Sequence, residues 1–280
     1  MSSISSTKLF DSKINESLIR YFIKNIQDLR VYRYAITNFV RNNLRMRYRR
    51  STLGFLWTML NPLLVMSVVS VVFALIYQRD IHTFAIYIFS GLSPWGFINQ
   101  SIQGGSQSLV HAEGYLKKVY LPKVMFPIIS VSTELINFFF SILSLYILAL
   151  ILGSPLTWRL LLLPFAALVT YLFVLGLVML FSVATVYFRD LTQILSVVFT
   201  ALFYTIPIVY PIEMIPEQYR IYFQLNPFYY YVQLFRKVFY AYQQPFTVSE
   251  WVIPILLAVV SCAVGLYVLM KKDRDIVYRL

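Results

Sequence analysis

The chain has 280 residues, 59% of them hydrophobic, 18% aromatic and only 13% charged, where a soluble domain carries about 25% charged residues. Mean hydropathy is +0.68, which excludes a disordered chain and an ordinary soluble domain. The net charge is +12, and a single cysteine, Cys262, excludes an intrachain disulfide or a cysteine-based metal cluster.

Residues 1–13 are serine-rich. Over 14–50, apolar residues recur at helical spacing (Leu18, Phe22, Ile26, Leu29, Ile36, Val40), with Arg20, Lys24, Arg30, Arg41, Arg45 and Arg49 mostly off that stripe. This predicts an amphipathic interfacial helix held in the headgroup plane by apolar burial and anionic lipid. Arg41, Arg45, Arg47, Arg49 and Arg50 are its expected membrane-interface residues. Docking of a cytoplasmic partner is a second role open to this helix.

A membrane-crossing helix needs about 20 mostly apolar residues. Six charge-poor windows qualify: 53–78, 83–107, 124–152, 160–188, 191–211 and 251–270. The first is too long and too far from the start to be a signal peptide. The second contains Gly91, Pro94, Gly96 and Gly104–Gly105, and ends in Asn99, Gln100, Gln103 and Gln107. It is expected to be a broken span that faces a bundle interior or cavity. The third carries Glu134, read as a structural acid bonded to a neighbouring helix, with a transport role as the alternative. The fifth ends in Pro207 and Pro211. The stretch 212–245 that follows is too apolar for a watery loop, yet neither half is long enough to span, so it predicts two short re-entrant outer helices. The expected fold is thus an all-α integral membrane protein: one domain over 1–280, six transmembrane helices, the amino-terminal interfacial helix and the re-entrant pair.

Charge placement orients it. The stretches 1–53, 111–123, Arg189–Asp190 and 271–280 alternate onto one face and sum to +12, whereas the opposite face sums to +1. The positive-inside rule then puts both termini in the cytoplasm of a multi-pass plasma-membrane protein, in contact with membrane lipid. Since topology accounts for the basic charge, nucleic acid is not an expected partner.

Parts for catalysis are missing. His82 and His111 lie near opposite faces and cannot share a metal. Gly91 and Gly96 have the first spacing of a phosphate loop, but Phe97 stands where the lysine belongs. No catalytic residue, metal or cofactor is expected in this chain, and with Glu134 the one intramembrane acid, uphill work points to an external motor. The positive signal is aromatic. Trp57, Phe73, Tyr77, Tyr87, Trp95, Phe199, Phe203, Tyr204 and Tyr210 are spread through the first, second and fifth spans. Aromatic faces stack on sugar rings and tyrosine hydroxyls add uncharged hydrogen bonds, so these nine are candidates to line a substrate channel for a polysaccharide. Helix packing and lipid contact are the alternative for each of them.

Five motifs carry a resemblance. Arg47-Tyr48-Arg49-Arg50-Ser51-Thr52-Leu53-Gly54-Phe55-Leu56-Trp57, continuing to Leu60-Asn61-Pro62-Leu63, resembles the opening of polysaccharide-export permeases of the type-2 ABC class, the Wzm, KpsM and TarG-like subunits for O-antigen, capsule and teichoic acid. Lys117-Lys118-Val119-Tyr120-Leu121-Pro122 resembles their cytoplasmic loop, and Phe188-Arg189-Asp190-Leu191 their cytoplasmic turn. Pro207-Ile208-Val209-Tyr210-Pro211 and Leu225-Asn226-Pro227-Phe228 resemble their outer re-entrant region. The match runs in order over about residues 30–270. It implies a homodimer with two copies of a separate nucleotide-binding ABC ATPase, which would bind the ATP and Mg, and a lipid-linked polysaccharide as substrate. It also implies that Glu113, Lys117, Lys118, Tyr120, Arg189 and Asp190 couple the permease to that ATPase. The same class includes exporters of small molecules or drugs, and a non-transporting membrane scaffold is a further alternative.

Overall fold

The computed structural model describes residues 25, 27–47, 49, 51–151, 153, 158–240 and 247–280. Among these, every regular element is a helix. The first is α1 (Arg33–Arg47), which continues a helical stretch past a turn at Tyr32. After a 3₁₀ turn at Gly54–Leu56 come α2 (Trp57–Ile76) and α3 (Ile81–Ser106). Gly54 sits at φ +50°, a left-handed conformation that suits glycine. Two short helices, α4 (Ser108–His111) and α5 (Glu113–Leu116), lead through an extended link to α6 (Met125–Ile151). A 3₁₀ turn at Trp158–Leu162 opens α7 (Leu163–Tyr187), and a tight turn at Arg189–Asp190 joins it to α8 (Leu191–Tyr204). Beyond α8 lie α9 (Glu217–Gln224), α10 (Pro227–Phe239) and the long α11 (Val248–Arg279). Leu18, Phe22 and Ile26 of the predicted stripe, Arg50, and the end of the re-entrant stretch at 241–246 lie outside the described residues.

Five of these helices are long and apolar enough to cross a membrane: α2, α3, α6, α7 with its preceding 3₁₀ turn, and α11. The fifth expected span differs. α8 has 14 residues, about 21 Å of helix against about 30 Å of hydrocarbon. The expectation that α3 would be broken is also corrected. It runs unbroken for 26 residues with Pro94 inside it. Pro94 removes one intrahelical donor, but the helix is buried on almost every side, and packing supplies what local propensity does not.

α3 is the centre of the bundle and packs against α2, α6, α7, α8 and α10. The tightest pairing is α7 with α11. A side chain at Gly176 would overlap the backbone of Ser261 and Cys262, and one at Gly265 would overlap the Gly176 carbonyl oxygen. Ser261 and Gly265, four residues apart, therefore form a small-residue face that lets the two backbones touch. Ser261 Oγ donates to the Phe173 carbonyl at 3.1 Å across the same seam.

The charged ends converge at one face. Lys123 pairs with Asp273 at 3.1 Å. Tyr187 lies under Lys272 and Arg279, and its hydroxyl reaches Asp275 at 3.4 Å. α1 packs on the start of α6, with Phe39 edge-on to Tyr115 and Phe126. The α1 helix, the α5 loop and the end of α11 thus form one basic face.

The seam is directly testable. Gly176→Leu should cost about 1–3 kcal/mol through overpacking, read as a lower thermal unfolding midpoint of the detergent-solubilised protein. Gly104→Ala, where an added Cβ meets nothing within 4 Å, should be neutral or stabilising by up to about 1 kcal/mol.

Candidate functional site: an inner cavity and a broken helix

A cavity of about 470 Å3 lies between α2, α3 and α6 in the half of the bundle nearer the basic face. Trp57 at the start of α2 and Trp95 on α3 form aromatic parts of its wall, and Asn61, Gln100 and Asn137 supply amides. Arg47, at the end of α1, closes one side. Its guanidinium donates through Nη1 to Glu134 Oε2 at 3.2 Å and through Nη2 to Glu134 Oε1 at 3.0 Å. Glu134 is mostly buried and also accepts from Asn137 Nδ2 at 3.0 Å. The fork-to-carboxylate geometry is the strong form of an ion pair. Glu134 is therefore bonded to a neighbouring helix, α1, and Arg47, expected at the membrane interface, points into the bundle instead. Arg41, Arg45 and Arg49 are exposed.

The nine aromatics do not form one wall in the single chain; most join one of two ring groups, and Trp57 lines the inner cavity apart from both. Trp95 stacks on Phe199 at 5.8 Å and touches Phe203 and Phe228 at 6.2 and 6.0 Å. Nearer the other face, Phe73, Tyr77, Phe84 and Tyr87 make a chain of rings with centroids 5.4–5.9 Å apart. Tyr87 and Phe199 are buried in the protomer core, whereas Tyr204 is 66% exposed. Tyr210 donates its hydroxyl to the Tyr204 carbonyl at 2.6 Å.

These tyrosines belong to a break in the backbone. α8 stops at Tyr204, and Ile206, Pro207, Ile208 and Val209 continue as buried, non-helical chain. Their carbonyls must find donors, because lipid offers none. Arg236 of α10, only 4% exposed, supplies them: Nη1 donates to Pro207 O at 2.7 Å and Nη2 to Ile208 O at 3.2 Å. Tyr87 Oη sits 3.2 Å from Pro207 O and 2.8 Å from Tyr210 O. Its ring lies 3.9 Å from the Arg236 guanidinium carbon, a close cation–π contact. A side chain at Gly91 would press on Arg236 Nη2 at 2.9 Å and on Ile208 Cγ2 at 3.2 Å, so glycine lets α3 approach the break. In the sequence Arg236 is only one of the charges on the face opposite the basic one. The available signal was a lone arginine on the apolar run 228–239, downstream of Pro207 and Pro211.

At the basic face, Lys117 Nζ donates to Glu113 Oε1 at 2.6 Å. That bond and the Lys117 charge, with a smaller pull from Arg189, hold the Glu113 carboxyl below the usual carboxylate range. The α5 loop and the Arg189–Asp190 turn are therefore close enough to feel one another. Lys118, Arg189 and Asp190 are exposed. Tyr115, Val119 and Tyr120 add an exposed apolar patch among these charges, and the Tyr120 carbonyl accepts from Tyr32 Oη at 3.4 Å.

A membrane bundle with a broken span and a cavity open near its basic face has the architecture of a permease. Residues 34–240 match the ABC-2 type transporter family, and the chain belongs to that family. It is 32% identical over 225 residues, 80% of this chain and 86% of the relative, to the O-antigen export system permease protein RfbA of Myxococcus xanthus. Two proteins of the same description from Klebsiella pneumoniae are each 29% identical over 211 residues, 75% of this chain and 79% of theirs.

Removing the guanidinium should unseat the break. Arg236→Leu leaves the Pro207 and Ile208 carbonyls short of donors and should cost about 2–6 kcal/mol, at about 1–3 kcal/mol per unsatisfied buried group. Arg236→Lys should recover only part of it, since an ammonium cannot present two forked donors. Thermal unfolding of the three proteins in detergent measures both.

Proposed function

We propose that this chain is the membrane-spanning permease subunit of an ATP-driven ABC exporter that moves a lipid-linked polysaccharide from the cytoplasmic side across the bacterial plasma (inner) membrane. The observation that carries the reading is the family match together with 32% identity, across four-fifths of the chain, to an O-antigen export permease. The chain itself performs translocation without catalysis; ATP and Mg belong to a separate nucleotide-binding subunit. Two copies of the permease and two of the ATPase make the working unit.

In this reading the basic face is cytoplasmic, both termini lie there, and α8 with the 205–211 segment is the fifth of six spans. α9 and α10 are the re-entrant outer helices. The inner cavity lies where a lipid-linked glycan would arrive from the cytoplasmic leaflet. Trp57 and the amides of Asn61, Gln100 and Asn137 suit sugar faces and hydroxyls. The exposed apolar faces of α2 (Val65, Val68, Leu75) and α8 (Ile194, Val197, Tyr204) would meet in the dimer and bound a conduit, long enough for a polymer to pass stepwise. Lys117, Lys118, Arg189 and the Tyr115–Tyr120 patch would receive the ATPase.

Deletion of the gene tests the substrate class: undecaprenyl-linked polymer should accumulate inside the cell, and normal surface glycan with no internal polymer would overturn the reading. Coupling is tested separately. Replacing Lys117, Lys118 and Arg189 together by glutamate should lower transport-stimulated ATPase activity in the reconstituted complex while leaving the unfolding midpoint in place; unchanged export would remove these residues from the coupling role.

A further inference from the structure

A second cavity, of about 450 Å3, opens at the face opposite the basic one, between α10, the first turn of α11 and the Ile212–Glu213 turn. Its size falls within the range of about 300–1,000 Å3 typical of small-ligand sites. Tyr229, Tyr230 and Tyr240 contribute rings, and Gln224, Gln233 and Glu213 contribute planar amide and carboxylate groups. Tyr229 and Tyr230 meet edge to face at 5.5 Å, so their hydroxyls are held at different angles to the space.

The charges of the cavity are largely spent. Lys237 is paired with Glu250, which also accepts from the Thr247 backbone N–H at 2.9 Å and so caps α11. Arg236 is committed to the Pro207 and Ile208 carbonyls. A phosphate would find no unengaged cation here. A purely apolar guest would strip water from two amides and a carboxylate without replacing the lost hydrogen bonds, an unfavourable exchange. What suits the lining is a neutral ligand with apolar ring faces and many hydroxyls: rings for stacking, amides and a carboxylate that bond donors and acceptors in pairs.

We propose that this cavity is a glycan-binding subsite that holds an uncharged, pyranose-rich stretch of the exported chain as it leaves the bundle. The proposal rests on the export reading and adds a site to it. The subsite also touches the break, since Tyr87 and Arg236 line the cavity and are the side chains that hold residues 207–210.

Photocrosslinking in cells tests it, with the cell's own lipid-linked polymer as the probe. Azidophenylalanine replaces Tyr230 in the full chain, expressed with its ATPase, and in a control replaces Val259, an exposed apolar residue on α11. Illumination should give the chain labelled at 230 an upward gel shift that stains for carbohydrate and is lost on periodate treatment, with no such shift at 259. Export that continues with no carbohydrate adduct at 230, or with equal adducts at both positions, would overturn the subsite while leaving the export reading intact. Surface polymer that does not depend on this chain would overturn the export reading itself. Where the label at 230 prevents assembly, the same label at Tyr240, 40% exposed on the rim, gives the same test.

Discussion

Arg236 spends its charge on two backbone carbonyls rather than on an acid, and the outer half of the molecule is arranged around that choice. Burying a guanidinium costs several kcal/mol. Leaving Pro207 and Ile208 unpaired at membrane depth would also cost several kcal/mol. Bringing the two together offsets much of both costs through charge-assisted hydrogen bonds from Nη1 and Nη2, and the Tyr87 ring at 3.9 Å adds a face for the cation, while Arg236 Nε is left buried without a partner. The arrangement needs α10 folded back beside α3, and it needs glycine at 91 to let the break come close. Asn226 supports this: it caps α10 by accepting from the Phe228 N–H at 3.0 Å, and its own amide donates to Thr205 Oγ1 at 2.9 Å, tying α10 to the end of α8.

The opposite half has a different clamp. Arg47 and Glu134 join α1 to the third turn of α6 and form one wall of the inner cavity. The arginine is about one-third exposed and the acid largely buried, so the acid depends on the pair more than the arginine does. Anything with phosphate-like chemistry that reached this cavity would compete with Glu134 for the same forked donors.

Much of this was legible in the sequence, for a physical reason: hydrocarbon imposes length and apolarity, and charge-poor windows report both. The five long apolar helices, the basic face, the helix around Val40 and the two short helices after Pro211 all follow from those constraints. α3 was misread because Gly91, Pro94 and Gly96 are helix breakers in water but are tolerated where surrounding helices supply the packing. The shortness of α8 was hidden because residues 205–211 are apolar and carry no charge to mark where the helix ends. The aromatics were recognisable as a set but not in their roles. Burial separates Tyr87 and Phe199, which are core, from Tyr204, which is exposed, and a linear pattern contains no burial. Arg236 and the Arg47–Glu134 pair depend on contacts 28 and 87 residues apart, and no local signal encodes partners at that distance.

Packing also divides the bundle by how easily its parts can move. α7 and α11 touch backbone to backbone at Gly176 and Gly265, so sliding one past the other drives atoms into overlap. α3 is buried along 72% of its most apolar stretch, while α2 is buried along only 17% of its own. Within a protomer, shifting α2 or α8 therefore disturbs far less packing than shifting α3, α7 or α11, and low-stability elements are the ones that move. The short links direct a push accordingly. The turn at Arg189–Asp190 is too tight to absorb displacement, so force applied there passes straight into α8. At its far end α8 meets the break, where Arg236 donates to the Pro207 and Ile208 carbonyls. α8 is thus held at both ends, by the Arg189–Asp190 turn and by the clamped break, while much of its side is exposed.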